Sequence, residues 1–164
     1  MKPEIVAHVL TIQSGAQAQP RVLVVDDDFA STRVLVRCLN ANGCAPTEVL
    51  SEAEAVDEMT TRLYDLVFLD WRLAQSTGDV LLKRLDRMLN RLDPAADAPL
   101  AGMQVPVIVY SARLRGEIEI PKLSHFKIID FWTKSLEAFH LNRRISHVMH
   151  QFQYRGQLTG FLRL

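Results

Sequence analysis

Along this chain, short uninterrupted apolar runs alternate with segments whose apolar residues recur every three or four positions. Val22-Leu23-Val24-Val25 stops abruptly at Asp26-Asp27-Asp28, and Leu66-Val67-Phe68-Leu69 stops at Asp70. Val105 to Tyr110 ends at Ser111, and Ile128 to Trp132 ends near Lys134. Runs without polar alternation suit strands buried on both faces, and Ala45 to Leu50 adds a fifth, less apolar candidate. Between them, Ala30 to Asn42 carries Val34, Leu35, Cys38 and Leu39 on one helical face and stops at Asn42-Gly43. Ser51-Glu52-Ala53-Glu54 has the form of a capping box, opening a helix that presents Ala55, Val56, Met59 and Leu63. After Gly78, the residues Leu81, Leu82, Leu85, Met88, Leu89 and Leu92 keep helical spacing, and Pro94, Pro99 and Gly102 mark a loop. Ser135 is placed to cap a last helix built on Leu141, Ile145, Val148, Met149 and Phe152. Arg113 to Phe126 is the least regular stretch, where Gly116 and Pro121 leave room only for a short or distorted fourth helix. The pattern predicts an α/β fold: five parallel strands and about five helices on both faces of the sheet.

The 164 residues, 48% of them hydrophobic, suit a single domain with its own core. Residues 1–20 read as an N-terminal extension ending at Pro20, residues 21–150 as the domain, and residues 151–164 as a tail or the start of a linker. Glu4 and His8 interrupt what would be the apolar part of an export signal, and no run approaches the ~20 residues that span a bilayer. Cys38 and Cys44 lack the number and spacing of a disulfide framework or metal knuckle, so reduced thiols and a cytoplasmic location are expected. With 19 basic and 19 acidic side chains, no net field recruits nucleic acid or an anionic membrane. Recognition must be local.

In an open α/β sheet, ligands bind beyond the carboxyl ends of the strands. The residues falling there are Asp26, Asp27 and Asp28 after the first strand, Asp70 after the third, Ser111 after the fourth and Lys134 after the fifth. Converging carboxylates repel one another unless a cation compensates, and a hard divalent ion with oxygen ligands, magnesium, answers that need. Magnesium takes one or two carboxylates together with phosphate oxygens, leaving a further carboxylate as nucleophile. Lys134 supplies a point charge and Ser111 a hydroxyl donor, which together suit phosphoryl transfer. Asp28 fits equally well as a helix N-cap.

Four stretches in order, Val22 to Asp28, Phe68-Leu69-Asp70 with Gly78, Val107 to Ala112 and Asp130 to Lys134, closely resemble the response-regulator receiver family over about residues 21–150. The resemblance implies a flavodoxin-like, doubly wound sheet of strand order 2-1-3-4-5. It implies that Asp70 accepts a phosphoryl group from a histidine kinase or histidine phosphotransfer protein. Asp27 matches the direct magnesium ligand and Asp26 the ligand acting through water, with Asp70 and the backbone carbonyl of Arg72 completing the set. Ser111 matches the switch hydroxyl, Phe131 the aromatic ring that rotates with it, and Lys134 the lysine that pairs with the phosphoryl group. The chain departs from the family pattern in three places. Ser135 stands where proline usually follows the lysine, Leu73-Ala74 replaces a Met-Pro pair, and Lys127-Ile128 replaces a Gly-Ala step.

A haloacid-dehalogenase-type phosphatase would also use Asp26-x-Asp28, Ser111 and Lys134, but needs acidic ligands after the lysine, where only Glu137 follows. A receiver that docks without being phosphorylated conflicts with the complete set of site residues. Arg143, Arg144, Arg155 and Arg163 invite a nucleic-acid reading, yet no helix-turn-helix follows, so direct nucleic-acid binding and membrane insertion are not expected. Output in the family runs through the fourth helix, fifth strand and fifth helix. Ile118, Ile120, Pro121 and Leu123 form an apolar cluster there, read as the face for a downstream partner or homodimer rather than as residues packed beneath a loop.

Overall fold

The computed structural model describes residues 19–92, 104–112, 116 and 118–161. The elements are β1 (Arg21–Val25), α1 (Phe29–Ala41), β2 (Ala45–Val49), α2 (Glu52–Thr61), β3 (Leu66–Leu69), a short pair β4 (Arg72–Leu73) and β5 (Ser76–Thr77), α3 (Gly78–Leu92), β6 (Val105–Ser111), β7 (Phe126–Thr133) and α4 (Ala138–Phe161). Five strands form one parallel sheet in the order β2-β1-β3-β6-β7, while β4 and β5 pair antiparallel on their own. This is the predicted doubly wound architecture, with the long apolar strands at its centre.

Alternation along those strands divides the interior into two layers. Leu23, Val25, Val67, Leu69, Val107 and Val109 face Ala55 and Met59 of α2 and Leu81, Leu82 and Leu85 of α3. Val22, Val24, Leu66, Phe68, Ile108 and Tyr110 face Leu35, Cys38 and Leu39 of α1 and Leu141, Ile145 and Met149 of α4. Each fully buried Val, Leu or Ile contributes about 1.5–3 kcal/mol. A one-residue slip of β1 or β3 would exchange the two layers, so the packing fixes strand register and, with it, the height at which each strand ends.

The helix ends follow the sequence in part. Asp28 caps α1, accepting the N–H of Ala30 at 2.9 Å, and Gly43 (φ 74°) supplies the left-handed turn after it. Ser51 caps α2 by accepting the Glu54 N–H at 3.2 Å, but the return bond from Glu54 goes to the N–H of Leu50 rather than of Ser51. Ser135 does not cap the last helix. It engages Thr133 instead, and α4 begins at Ala138 with the Glu137 carbonyl accepting the Leu141 N–H. That helix continues to Phe161, across the expected boundary at residue 150.

Of the short or distorted fourth helix expected in Arg113–Phe126, the described residues show a 3-10 position at Gly116, while residues 118–125 are non-helical and residues 113–115 and 117 lie outside the described residues. The buried Asp86 carboxylate of α3 accepts the backbone N–H of Ser124 at 2.9 Å and of His125 at 2.7 Å, fastening the segment just before β7. Ile118 and Leu123 pack against the α2–α3 core layer, and Ile120 is half exposed. The apolar cluster is therefore mainly packed under its own segment, contrary to the reading of all four residues as a partner face. Among the described residues there is no cis peptide bond, and no helix is long and apolar enough to cross a membrane.

Candidate functional site

Three backbone bonds set the site's floor. Asp70 N–H donates to the Val25 carbonyl at 2.9 Å, Asp26 N–H to Val49 at 3.2 Å, and Lys134 N–H to Ser111 at 3.1 Å. Adjacent parallel strands thus end at nearly one level, and the polar residues that stop the apolar runs converge there. Asp26, Asp70 and Ser111 are buried, Asp27 is exposed, and Lys134 lies between these extremes.

Asp70 is held at both oxygens. Its Oδ1 accepts the Ser111 hydroxyl at 2.7 Å and the Arg72 N–H at 3.0 Å, and its Oδ2 accepts the Lys134 ammonium at 2.6 Å. The same ammonium reaches Asp26 Oδ2 at 2.7 Å, so it bridges two carboxylates that would otherwise repel each other. Burial by itself would depress the Lys134 pKa, but the hydrogen bonds and charges of Asp26 and Asp70 outweigh it and hold the pKa above its ordinary value. The Lys134 ammonium therefore stays charged throughout the neutral range.

One carboxylate oxygen from each of Asp26, Asp27 and Asp70 lies within 4.8 Å of the others. An all-oxygen, acidic donor set of this kind fits a hard cation such as magnesium and offers nothing to a soft metal. The pocket thus combines a compensated acidic cluster, a hydroxyl donor and a mobile-stemmed cation around one carboxylate. Chemically it can neutralise and orient a phosphoryl group beside Asp70.

The residues singled out from sequence divide into those brought together and those set apart. Asp26, Asp27, Asp70, Ser111 and Lys134 meet in one pocket. Arg72 contributes its backbone N–H to Asp70 while its side chain is exposed. Phe131 stands one layer away, half buried against the α2–α3 core. Sequence reasoning missed Ser31, whose hydroxyl donates to Asp26 Oδ2 at 2.7 Å. The available signal was a hydroxyl in the first turn of the helix that follows the aspartates.

Comparison with known proteins identifies the family and the fold. The model of the response regulator receiver domain family matches residues 22–146. The phosphate regulon transcriptional regulatory protein PhoB of Escherichia coli is 29% identical over 79% of this chain and 51% of its own length. The alginate biosynthesis transcriptional regulatory protein AlgB of Pseudomonas syringae is 37% identical over 43% of this chain and 16% of its own. The chain thus spans about half or less of the length of these curated relatives. Among solved structures, a CheY-like receiver domain from Methylobacillus flagellatus aligns with a TM-score of 0.58 at 21% identity, covering 80% of this chain and 99% of that one. The receiver domain of a LuxO repressor protein from Vibrio parahaemolyticus aligns at 0.60 and 17% identity, over 90% and 99% of the two chains. With the family model spanning most of the chain and the fold matching in strand order, this protein belongs to the response-regulator receiver family of two-component signalling.

Proposed function

We propose that Asp70 is the phosphoacceptor of this receiver and takes its phosphoryl group from the phosphohistidine of a histidine kinase or histidine phosphotransfer protein in the cytoplasm. The observation that carries the reading is the placement of one buried carboxylate at the end of a central strand, with Ser111 on one oxygen and Lys134 on the other. An Asp70 oxygen attacks phosphorus in line; the new O–P bond forms as the N–P bond breaks, and the imidazole nitrogen leaves with the electron pair. Lys134 then exchanges Asp70 for a phosphoryl oxygen, Ser111 donates to another, and the Phe131 ring moves inward with it. Asp27, Asp26, Asp70 and the Arg72 carbonyl would hold magnesium, which when bound would spread the charge developing on the transferring group. Output passes to a downstream protein partner or a second copy through the face formed by residues 118–125, β7 and α4, without direct contact to nucleic acid.

Incubation with acetyl phosphate and magnesium should add one phosphoryl group by intact-mass measurement, and Asp70→Asn should abolish the addition. In the same samples millimolar magnesium should raise the melting temperature, because a ligand bound only to the native state stabilises it. Asp27→Ala should remove most of that rise. A mass shift that persists in Asp70→Asn would refute the acceptor, and an undiminished magnesium response in Asp27→Ala would place the ion elsewhere.

A further inference from the structure

Asp26 is more fully held than its place in a metal site would require. Its Oδ1 accepts the Asp28 N–H at 3.0 Å, and its Oδ2 accepts both the Lys134 ammonium at 2.7 Å and the Ser31 hydroxyl at 2.7 Å. Ser31 sits in the first turn of α1, and its hydroxyl also lies 2.9 Å from the Asp28 carbonyl. One hydroxyl carries one proton. The Asp28 carbonyl already receives the Ser31 N–H at 3.0 Å, whereas the carboxylate is the shorter and charged acceptor, so the proton goes to Asp26.

We infer that Ser31 is a positioning residue for magnesium, acting through Asp26. The inference rests on the reading of Asp26, Asp27 and Asp70 as the metal site. Lys134 is shared between Asp26 and Asp70, and once a phosphoryl group on Asp70 draws the ammonium away, Asp26 loses one of its two side-chain donors. Ser31 is the donor that stays. With Oδ1 tied to the Asp28 N–H and Oδ2 to Ser31, the carboxylate is held at both ends, and the one Oδ2 lone pair released by Lys134 is left for the metal site. Without the hydroxyl, only Oδ1 is fixed, and the carboxylate swings about a single anchor. Outer groups that orient metal ligands in this manner typically matter by about 10–100-fold in metal affinity. For a ligand that acts through water the effect should lie at the low end of that range or below it.

The test is magnesium titration at a fixed excess of beryllofluoride, which stands in for the phosphoryl group that draws Lys134 away, followed by intrinsic fluorescence of Trp71, the buried residue next to Asp70 in the chain. Four proteins are compared: wild type, Ser31→Ala, Ser31→Thr and Asp27→Ala. The expected result is a dissociation constant raised at least threefold in Ser31→Ala and restored toward wild type in Ser31→Thr, which keeps the hydroxyl. Melting without magnesium separates a general loss of helix stability, which would not be expected to follow the metal. Equal magnesium affinity in wild type and Ser31→Ala, with Asp27→Ala impaired, overturns the role of Ser31 and leaves the metal site standing. A wild type whose fluorescence and melting both ignore magnesium overturns the metal site and this inference with it.

Discussion

Trp71 follows Asp70 directly, and its ring occupies the space that a side chain at position 78 would need. A Cβ on Gly78 would stand 2.8 Å from Trp71 Cε3, 3.1 Å from Leu69 Cδ2 and 3.4 Å from the Asp70 carbonyl. The indole is rigid and buried, and its neighbours Leu69 and Asp70 lie at the end of β3, so there is little room to yield. Gly78→Ala should therefore destabilise by about 1–3 kcal/mol through overpacking. Urea unfolding should show a lower midpoint at unchanged slope, and a midpoint equal to wild type would show that the strand end accommodates the methyl group. The sequence placed Gly78 eight residues after Asp70 without revealing why glycine is needed. At this scale the acidic residues, Ser111 and Lys134 were legible because each terminates an apolar run. Ser31 and Asp86 were not: a lone polar residue on a helix carries no sign of which distant group it faces.

Strand β7 changes its pairing midway. Val107 pairs with Ile128 but Ile108 pairs with Asp130, which leaves Ile129 as the extra residue of a bulge. Before the bulge, Phe126 and Ile128 face the α2–α3 layer; after it, Phe131 takes that side and Trp132 turns to the α1–α4 layer. There the indole meets Phe68 edge-on at 5.3 Å, donates its N–H to Asp130 at 2.7 Å and lies beneath the Arg144 guanidinium at 5.7 Å. Period-two reading of Ile128 to Trp132 would have put Phe131 and Trp132 on the wrong faces, since a bulge is set by tertiary packing and not by local alternation. The same limit explains residues 118–125, where Gly116 and Pro121 foretold irregularity, but the Asp86 clamp that holds the segment is non-local. Deleting Ile129 would close the bulge and leave Phe131 and Trp132 opposite Val109 and Tyr110, on their present faces. Trp132→Ala should cost more than about 3 kcal/mol, the usual scale for removing a large aromatic from a core. Thermal unfolding reads this directly, and a Trp132→Ala variant as stable as wild type would mean that the indole carries no packing role.

Across the whole molecule the balanced net charge conceals two unlike faces. Between Phe29 and Ala41 and between Ala138 and Gln151, helices α1 and α4 carry Arg33, Arg37, Arg143 and Arg144 and no acidic residue, whereas α2 carries Glu52, Glu54, Asp57 and Glu58. The sequence total could not show this, because the layering that separates the helices is a property of the fold. The proposed output face lies at the open side of β7, the edge strand of the sheet. Within residues 118–125 and β7, two apolar side chains stand out: Ile120, 51% exposed, and Ile129, 42% exposed. Ile118, by contrast, contacts the core. The proposed phosphorylation of Asp70 would supply new contacts only near Asp70 and Lys134, so it would change association only by biasing the arrangement of β7 and the segment before it. Beryllofluoride with magnesium, which stands in for the phosphoryl group, should then increase self-association or partner affinity. Ile120→Asp should weaken that response while leaving stability within about 0.5 kcal/mol of wild type, as for other exposed substitutions. Ile118→Asp should instead lower stability in both states, because it carries a charge into apolar packing. Light scattering and unfolding measured on both variants separate the two effects. Identical mass and partner affinity in the activated and unactivated wild type would rule out this face as the output.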